Sequence, residues 1–235
     1  MAGLLDAALS NPWGMLDTML AGPLHPGGTE ATAALLDRAG VGPSTRLLDV
    51  GCGAGDALSV ARDRGADALG IDPEPSTDRA LQGDAMALPI KGGSVDVLLA
   101  ECVLCLTDLD AALAEANRVL ADGGRLALSD VVVVDGDRPD VPDAAADALC
   151  LTGARSRDRL TGRVEAAGFT VADTANHHDD LLAMRDRVTD RVDYEGLLGM
   201  MGERGQRALS AIEAIEAAVE AGDISYVSLV ATAQG

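Results

Sequence analysis

Short apolar runs that alternate with helical periods, a glycine-rich turn at the first strand-to-helix junction, and acidic residues at the ends of successive runs predict an α/β fold, built on a doubly wound, mostly parallel sheet. The first 28 residues stand apart as a lead-in arm, because the Pro and Gly of "NPWG" and "GPLHPGG" punctuate turns between short helical patterns. A helix follows in "EATAALLDRAG", with Thr29 as its N-cap and Gly40 as its stop. Then the alternation begins: strand "RLLDV", helix "DALSVARDRG", strand "DALGI", a short irregular piece, strands "RALQG" and "SVDVLLA", helix "LDAALAEANRVLADGG" and strand "RLALSDVVVV". Parallel neighbours need crossover connections, so helical periods between short apolar runs imply this sheet. After the proline-bearing loop "DGDRPDVPD" come two helical patterns around residues 143–167 and the strand "GFTVADTA". Residues 178–221 are again helical by pattern, and "ISYVSLVATA" closes the chain as a strand expected at the sheet edge. The expected division is an arm (1–28), a core (29–176), a helical lid insertion (177–222) and a final strand (223–235) that completes the core sheet.

Composition narrows the function classes. The 235 residues carry 38 acidic against 18 basic side chains, a formal net charge of -20, with Lys91 the sole lysine. A field of that sign repels nucleic-acid phosphates and anionic lipid, so neither nucleic acid nor membrane is expected as a partner. The opening residues lack the basic start and unbroken apolar run of a signal peptide, and no stretch approaches the roughly 18 apolar residues of a membrane span, which predicts a cytoplasmic protein. Cys52, Cys102, Cys105 and Cys150 are too few and scattered for a secreted disulfide framework, so reduced thiols are expected. The aromatic set is Trp13, Phe169, Tyr194 and Tyr226, so stacking is not the main grip on a ligand.

In "LLDVGCGAGDALSV", Gly51, Gly53 and Gly55 leave a strand and enter a helix, where missing side chains let a ligand approach the backbone. A dinucleotide fingerprint would place a small residue where Asp56 stands, and a carboxylate there repels a pyrophosphate. The fitting ligand lacks phosphates but carries a ribose, whose hydroxyls Asp72 can accept at the end of the next strand. Asp84, in "QGDA" one strand later, is placed to accept from an exocyclic adenine amine. A cationic, phosphate-free nucleoside describes S-adenosylmethionine. Taken singly, a glycine loop or an acidic residue after a strand is also an ordinary turn or helix cap; the three in series carry the reading.

Through "LLDVGCGAG", "GIDPEP", "GDAMALPIKGGSVDVLLAECVL" and "EANRVLADGGRLALSD", residues 29–134 resemble the class I S-adenosylmethionine-dependent methyltransferases. The resemblance implies a Rossmann-like sheet of seven strands with the last antiparallel, S-adenosylmethionine as cofactor, and chemistry at the strand ends. It implies cofactor contacts from Gly51, Gly53, Asp72 and Asp84, and the full cofactor set expected adds Asp49, Cys52, Gly55, Pro73, Ala85 and Glu101. The piece between Asp72 and Arg79 is short for a second crossover helix.

Methyl transfer from a sulfonium is an in-line displacement with an activated donor, so positioning and exclusion of water supply much of the rate, and no metal or covalent intermediate is required. A small-molecule acceptor is then expected over the carboxyl end of the fourth strand, near Glu101 and Cys102, beneath a lid from the arm and the late helical insertion. Two segments, "ECVLCLTD" and "SDVVVVDGDRPDVPDAAADALCLTGARSRDRLTGRVEAAGF", resemble the arsenite methyltransferases. That resemblance makes Cys150 a soft ligand for trivalent arsenic, yet the arm holds no cysteine and none follows Cys150, which leaves a single thiolate. The alternatives are a small-metabolite O- or N-methyltransferase, with His177 or His178 as general base at the lid's entry, and a cofactor-binding sensor or subunit without turnover. Cys102 and Cys105 form one C-x-x-C, which reads as packed thiols near the pocket before a metal or redox pair, because zinc needs about four ligands and the histidines are distant in sequence; Cys52 reads as a filler of the glycine loop. His25 either lines the cofactor mouth or sits in a turn, and Trp13 either anchors the arm or covers the acceptor. Leu209, Ile212, Ile215 and Val219 share one face of the last helix, first a packing surface and second a candidate homodimer surface.

Overall fold

The structure, a computed structural model, describes residues 25–134, 139, 141, 146–147, 149–190, 194–199 and 202–234. The arm up to residue 24, with Trp13, and most of the loop "DGDRPDVPD" lie outside the described residues. Seven strands make one sheet: β1 (Arg46–Val50), β2 (Asp67–Asp72), β3 (Ala80–Gln82), β4 (Val95–Glu101), β5 (Leu120–Val133), β6 (Phe169–Asn176) and β7 (Ile224–Ala233). Their spatial order is β3-β2-β1-β4-β5-β7-β6. The first five pair in parallel, and β7 runs antiparallel to both β5 and β6. Strand order reverses between β1 and β4, which opens a crevice at their carboxyl ends.

Apolar faces fix the layers. Helices α1 (Gly28–Arg38) and α2 (Asp56–Asp63) bury Leu35, Leu36, Leu58 and Ala61 against Leu47, Val97 and Leu99 on one side of the sheet. Helices α3 (Leu109–Val119) and α4 (Arg157–Ala166) bury Leu113, Ala116, Leu160 and Val164 against Leu48, Leu98 and Leu126 on the other. Between β6 and β7 come α5 (His178–Thr189), α6 (Tyr194–Gly199) and α7 (Gly202–Ala221). Leu181, Leu182, Ile215 and Val219 from α5 and α7 pack with Val131, Val133, Cys150 and Tyr226 in a third cluster. Capping places the helix starts: the Asp108 carboxylate accepts from the backbone N–H groups of Asp110 and Ala111, and the Ser156 hydroxyl from that of Arg159. Among the described residues no helix is long and apolar enough to cross a membrane.

Three local expectations are corrected. Thr29 is not the N-cap of α1, because Gly27 and Gly28 take φ of +80 and +54 and reverse the chain before it, so that Thr29 lies in the first turn. The helix expected to run through Gly124 ends at Val119, since two consecutive glycines disfavour helix and Gly123 sits at φ +73. The closing strand is not at the edge. β7, buried at nine of its ten positions, lies between β5 and β6, while the polar β6 with one buried position takes the edge.

Candidate active site

The crevice between β1 and β4 is built from the turn after β1. Gly51, at φ +75, leaves no room for a side chain: a Cβ there would stand 2.2 Å from Cγ2 of Val103. Around Gly53 a Cβ would meet nothing within 4 Å, so that backbone faces open space. Its N–H donates to Oδ2 of Asp72 at 2.9 Å, and the N–H of Glu74 donates to Oδ1 at 2.8 Å. Two backbone donors thus hold the Asp72 carboxylate at the end of β2, with lone pairs left over for two hydroxyls. Gly55 at φ +88 opens α2, and Asp56 stands exposed in its first turn.

Asp49 is buried on β1 and its Oδ2 atom lacks a hydrogen-bond partner. Burial pushes its carboxyl well above the usual carboxylate range, and the nearby charges of Glu101 and Asp72 push it further. Three carboxylates from three adjacent strand ends, one of them unsatisfied, suit a cationic ligand and oppose an anionic one. Cys52 is buried, its sulfur filling the space beside Gly70, where a Cβ would come within 2.4 Å of it. Pro73 is exposed and Ala85 buried, while Asp84 sits in an exposed turn beyond β3, where its carboxylate accepts the N–H of Met86 at 2.8 Å.

Glu101 ends β4 with its side chain 7% exposed. It accepts the hydroxyl of Thr32 at 2.8 Å and that of Ser129 at 3.5 Å, and lies 3.6 Å from Nε2 of His25. Ser129 in turn accepts from the fully buried Tyr226 hydroxyl at 2.6 Å, and the Cys102 thiol approaches that same phenol oxygen at 3.8 Å. A chain of hydrogen bonds therefore runs from the crevice to Cys102. Sequence reasoning missed Thr32, Ser129, Asp130 and Tyr226. Their signal is weak, since Ser, Thr and Tyr on strands and helices are ordinary, and only the register of β7 against β5 brings Tyr226 to Ser129.

The thiols bring a further correction. Cys150 is not a lone sulfur: its thiol points to the carbonyl of Cys102 at 3.6 Å, and donor atoms of Cys102, Cys150 and Asp130 lie within 4.8 Å of one another. Hydrogen bonding to Cys150, then burial, pushes the Cys102 thiol well up. Burial pushes Asp130 up to about 6.

The two histidines part company. His177 uses both ring nitrogens, Nε2 on the Ser228 hydroxyl at 2.7 Å and Nδ1 on Asp180 at 3.1 Å, and its ring lies against Tyr226. His178 begins α5 with Nδ1 buried and without a partner. Of the two, His178 alone keeps a nitrogen for a proton.

A family model of a methyltransferase domain matches residues 48–128. Over 173 residues the chain is 35% identical to Methyltransferase GfsG of Streptomyces halstedii, covering 63% of this chain and 60% of that protein. It is 30% identical to an arsenite methyltransferase of Halobacterium salinarum over 174 residues, 65% of this chain and 44% of that protein. The chain thus spans 60% and 44% of the length of these curated relatives. The cyclase SpnF shares the fold, with a TM-score of 0.73 at 24% identity over 96% of this chain and 93% of that one. The matched segment runs from β1 into β5, over the strands and turns that shape the crevice, so the part of the chain that builds the crevice is the part similar to a methyltransferase domain.

Proposed function

We propose that the chain transfers a methyl group from S-adenosylmethionine to a small-molecule acceptor whose reacting atom is soft, with trivalent arsenic as the type. The crevice fits the cofactor: Asp72 would hold the ribose, the open backbone at Gly53 would lie along the ligand, and Asp49 and Glu101 would face its positive charge. The unpartnered Oδ2 of Asp49 is the observation that supports this most directly. When bound, S-adenosylmethionine supplies a methyl group already activated on a sulfonium.

The acceptor reading rests on Cys102 and Cys150, two thiols where the sequence offered one. Trivalent arsenic hydroxide takes up a thiol by releasing water, so the sulfur proton leaves with a hydroxyl group of arsenic and no prior ionisation is needed. Thiols held well above their usual range can therefore still bind it. A soft lone pair needs no general base, and the protein's part is to place it and to keep water out. The likeness to the Halobacterium salinarum arsenite methyltransferase supports the same choice. A second reading, an oxygen or nitrogen acceptor, is favoured by the buried, unpartnered Nδ1 of His178.

The test is mass spectrometry of products after incubation with isotope-labelled cofactor and a panel of arsenite, thiols, small amines and phenols. The expected product is a methylated arsenical, lost in Cys102→Ser and Cys150→Ser and retained in His178→Ala. A product from phenols or amines alone, lost in His178→Ala, replaces this reading with the second. Cofactor binding without any product makes the chain a sensor or subunit.

A further inference from the structure

We propose that Cys102, Cys150 and Asp130 form a binding site for a thiophilic divalent cation of the zinc and cadmium type, held by two sulfurs and one carboxylate oxygen. The site shares Cys102 and Cys150 with the proposed acceptor site, so cation and arsenical compete for the two sulfurs, and cation binding requires neither cofactor nor methyl transfer. Its donors come from three places, the turn after β4, strand β5 and the loop before α4, yet one atom from each lies within 4.8 Å of the other two. Tetrahedral bonds of about 2.3 Å to sulfur and about 2.1 Å to oxygen need donors roughly 3.5 Å apart, so the cluster has to close by about 1 Å.

The backbone supplies a separate argument. Cys102 and Cys150 hold φ of +55 and +58, and among the described residues Ser44 is the one other non-glycine residue with positive φ. Glycine or asparagine would hold that conformation with less strain, so cysteine at both positions points to a use for the sulfur. The surroundings also keep the donors in place. The N–H groups of Cys105 and Val131 donate to Oδ2 and Oδ1 of Asp130 at 2.9 and 3.0 Å, and Cys105 packs with Cys150 in the same buried cluster. Gly153 packs so closely on the Cys105 turn that a Cβ would stand 2.0 Å from its carbonyl oxygen, which pins the Cys150 loop against it.

On binding, each of the two thiols releases a proton to solvent as its sulfur–metal bond forms, Asp130 enters as its anion, and no oxidation state changes. The occupied site carries one net negative charge, which Arg155, whose charge already acts on Asp130, partly offsets. Three protein donors leave a fourth position for water or a small ligand. Two sulfurs select zinc or cadmium over magnesium and calcium, which prefer oxygen donors alone.

The reduced, metal-free full chain, without cofactor or acceptor, is titrated with cadmium chloride while the ultraviolet sulfur-to-cadmium charge-transfer band is followed. Carboxylates of the acidic surface give no such band. The band is expected to saturate at one cadmium per chain and to yield to zinc but not to magnesium. Cys102→Ser and Cys150→Ser should each weaken binding by about 100-fold or more, Asp130→Asn by about tenfold, and Cys52→Ser not at all. Circular dichroism checks the fold of every variant, and zinc release from the unmutated chain to a chromophoric chelator gives a readout that needs no variant. No band at stoichiometric cadmium, a band that survives both cysteine variants, or displacement by magnesium overturns the proposal. The charge-transfer band reads the cation alone and labelled product reads methyl transfer alone, so a chain that methylates an acceptor without giving the band, or gives the band without product, tells the two failures apart.

Discussion

Alanine in place of Asp72 is expected to weaken S-adenosylhomocysteine binding by about 10- to 150-fold. The carboxylate already accepts the N–H groups of Gly53 and Glu74, so it is fixed in place before any ligand arrives and no ordering cost falls on binding. A hydrogen bond to a charged group contributes about 1.5–3 kcal/mol, and the net loss of one such interaction at about 1.4 kcal/mol per tenfold gives that range. Asparagine keeps one acceptor oxygen and should lose roughly half of that free energy. Stability should change little, because Glu74 is exposed and Gly53 half-buried, so water can replace the lost acceptor. Isothermal titration calorimetry on the three proteins, with thermal midpoints as the control for folding, reads both effects. A folded Asp72→Ala protein with affinity within twofold of the original refutes the assignment of Asp72 to the ribose, and with it the reading of the crevice.

Two further outcomes follow from local geometry and burial. Gly51→Ala places a Cβ 2.2 Å from Val103 at φ +75, and should lower stability by about 2 kcal/mol or more, while Gly51→Ala with Val103→Ala relieves the clash and leaves about 1 kcal/mol of backbone strain, as thermal melts can show. For Asp130, raised from 3.8 to about 6, the folded state keeps a proton over a window where the unfolded chain has lost it; its contribution to stability is full below about pH 4 and fades by about 3 kcal/mol as the pH rises through 6. Urea midpoints of the unmutated and Asp130→Asn proteins, compared across that window, should therefore diverge in slope; parallel curves would contradict the assignment.

Much of the sheet was legible because β1, β2, β4 and β5 are short apolar runs whose ends carry their own markers, Gly51, Asp72 and Glu101 among them. Local sequence determines where such a strand stops, and the crevice is made from stopping points. The place of β7 was not legible in the same way. Its buried run "ISYVSLVATA" fits an interior strand as well as an edge, and the polar exposure of β6 decides between them only once the two are seen side by side. The thiol cluster was hidden for a different reason. Cys102 and Cys150 are 48 residues apart, and what joins them is the approach of Gly153 to the Cys105 turn, a contact that leaves no periodic signature. His177 shows the reverse: adjacent histidines draw attention as a base, yet Ser228 and Asp180 occupy both nitrogens of the first.

The boundary of the family match separates two tasks. It ends at Leu128, one residue before Ser129, so the cradle of Asp49, Gly51, Gly53, Asp72 and Glu101 lies within it, while Asp130, Cys150 and Tyr226 lie beyond. A cradle common to proteins with different partners can set the cofactor but not the acceptor. Under the proposed function, choice of acceptor would then come from the end of β5, the Cys150 loop and β7, which the insertion of β7 between β5 and β6 draws together, with Cys102 reaching them from within the matched segment. Tyr226 is the joint between the two: its hydroxyl donates to Ser129 on the way to Glu101 and receives the Cys102 thiol from the other side. Because that hydroxyl is buried and engaged from both directions, a change at the Cys102 thiol is expected to alter the hydrogen bonding of Glu101 through Tyr226 and Ser129.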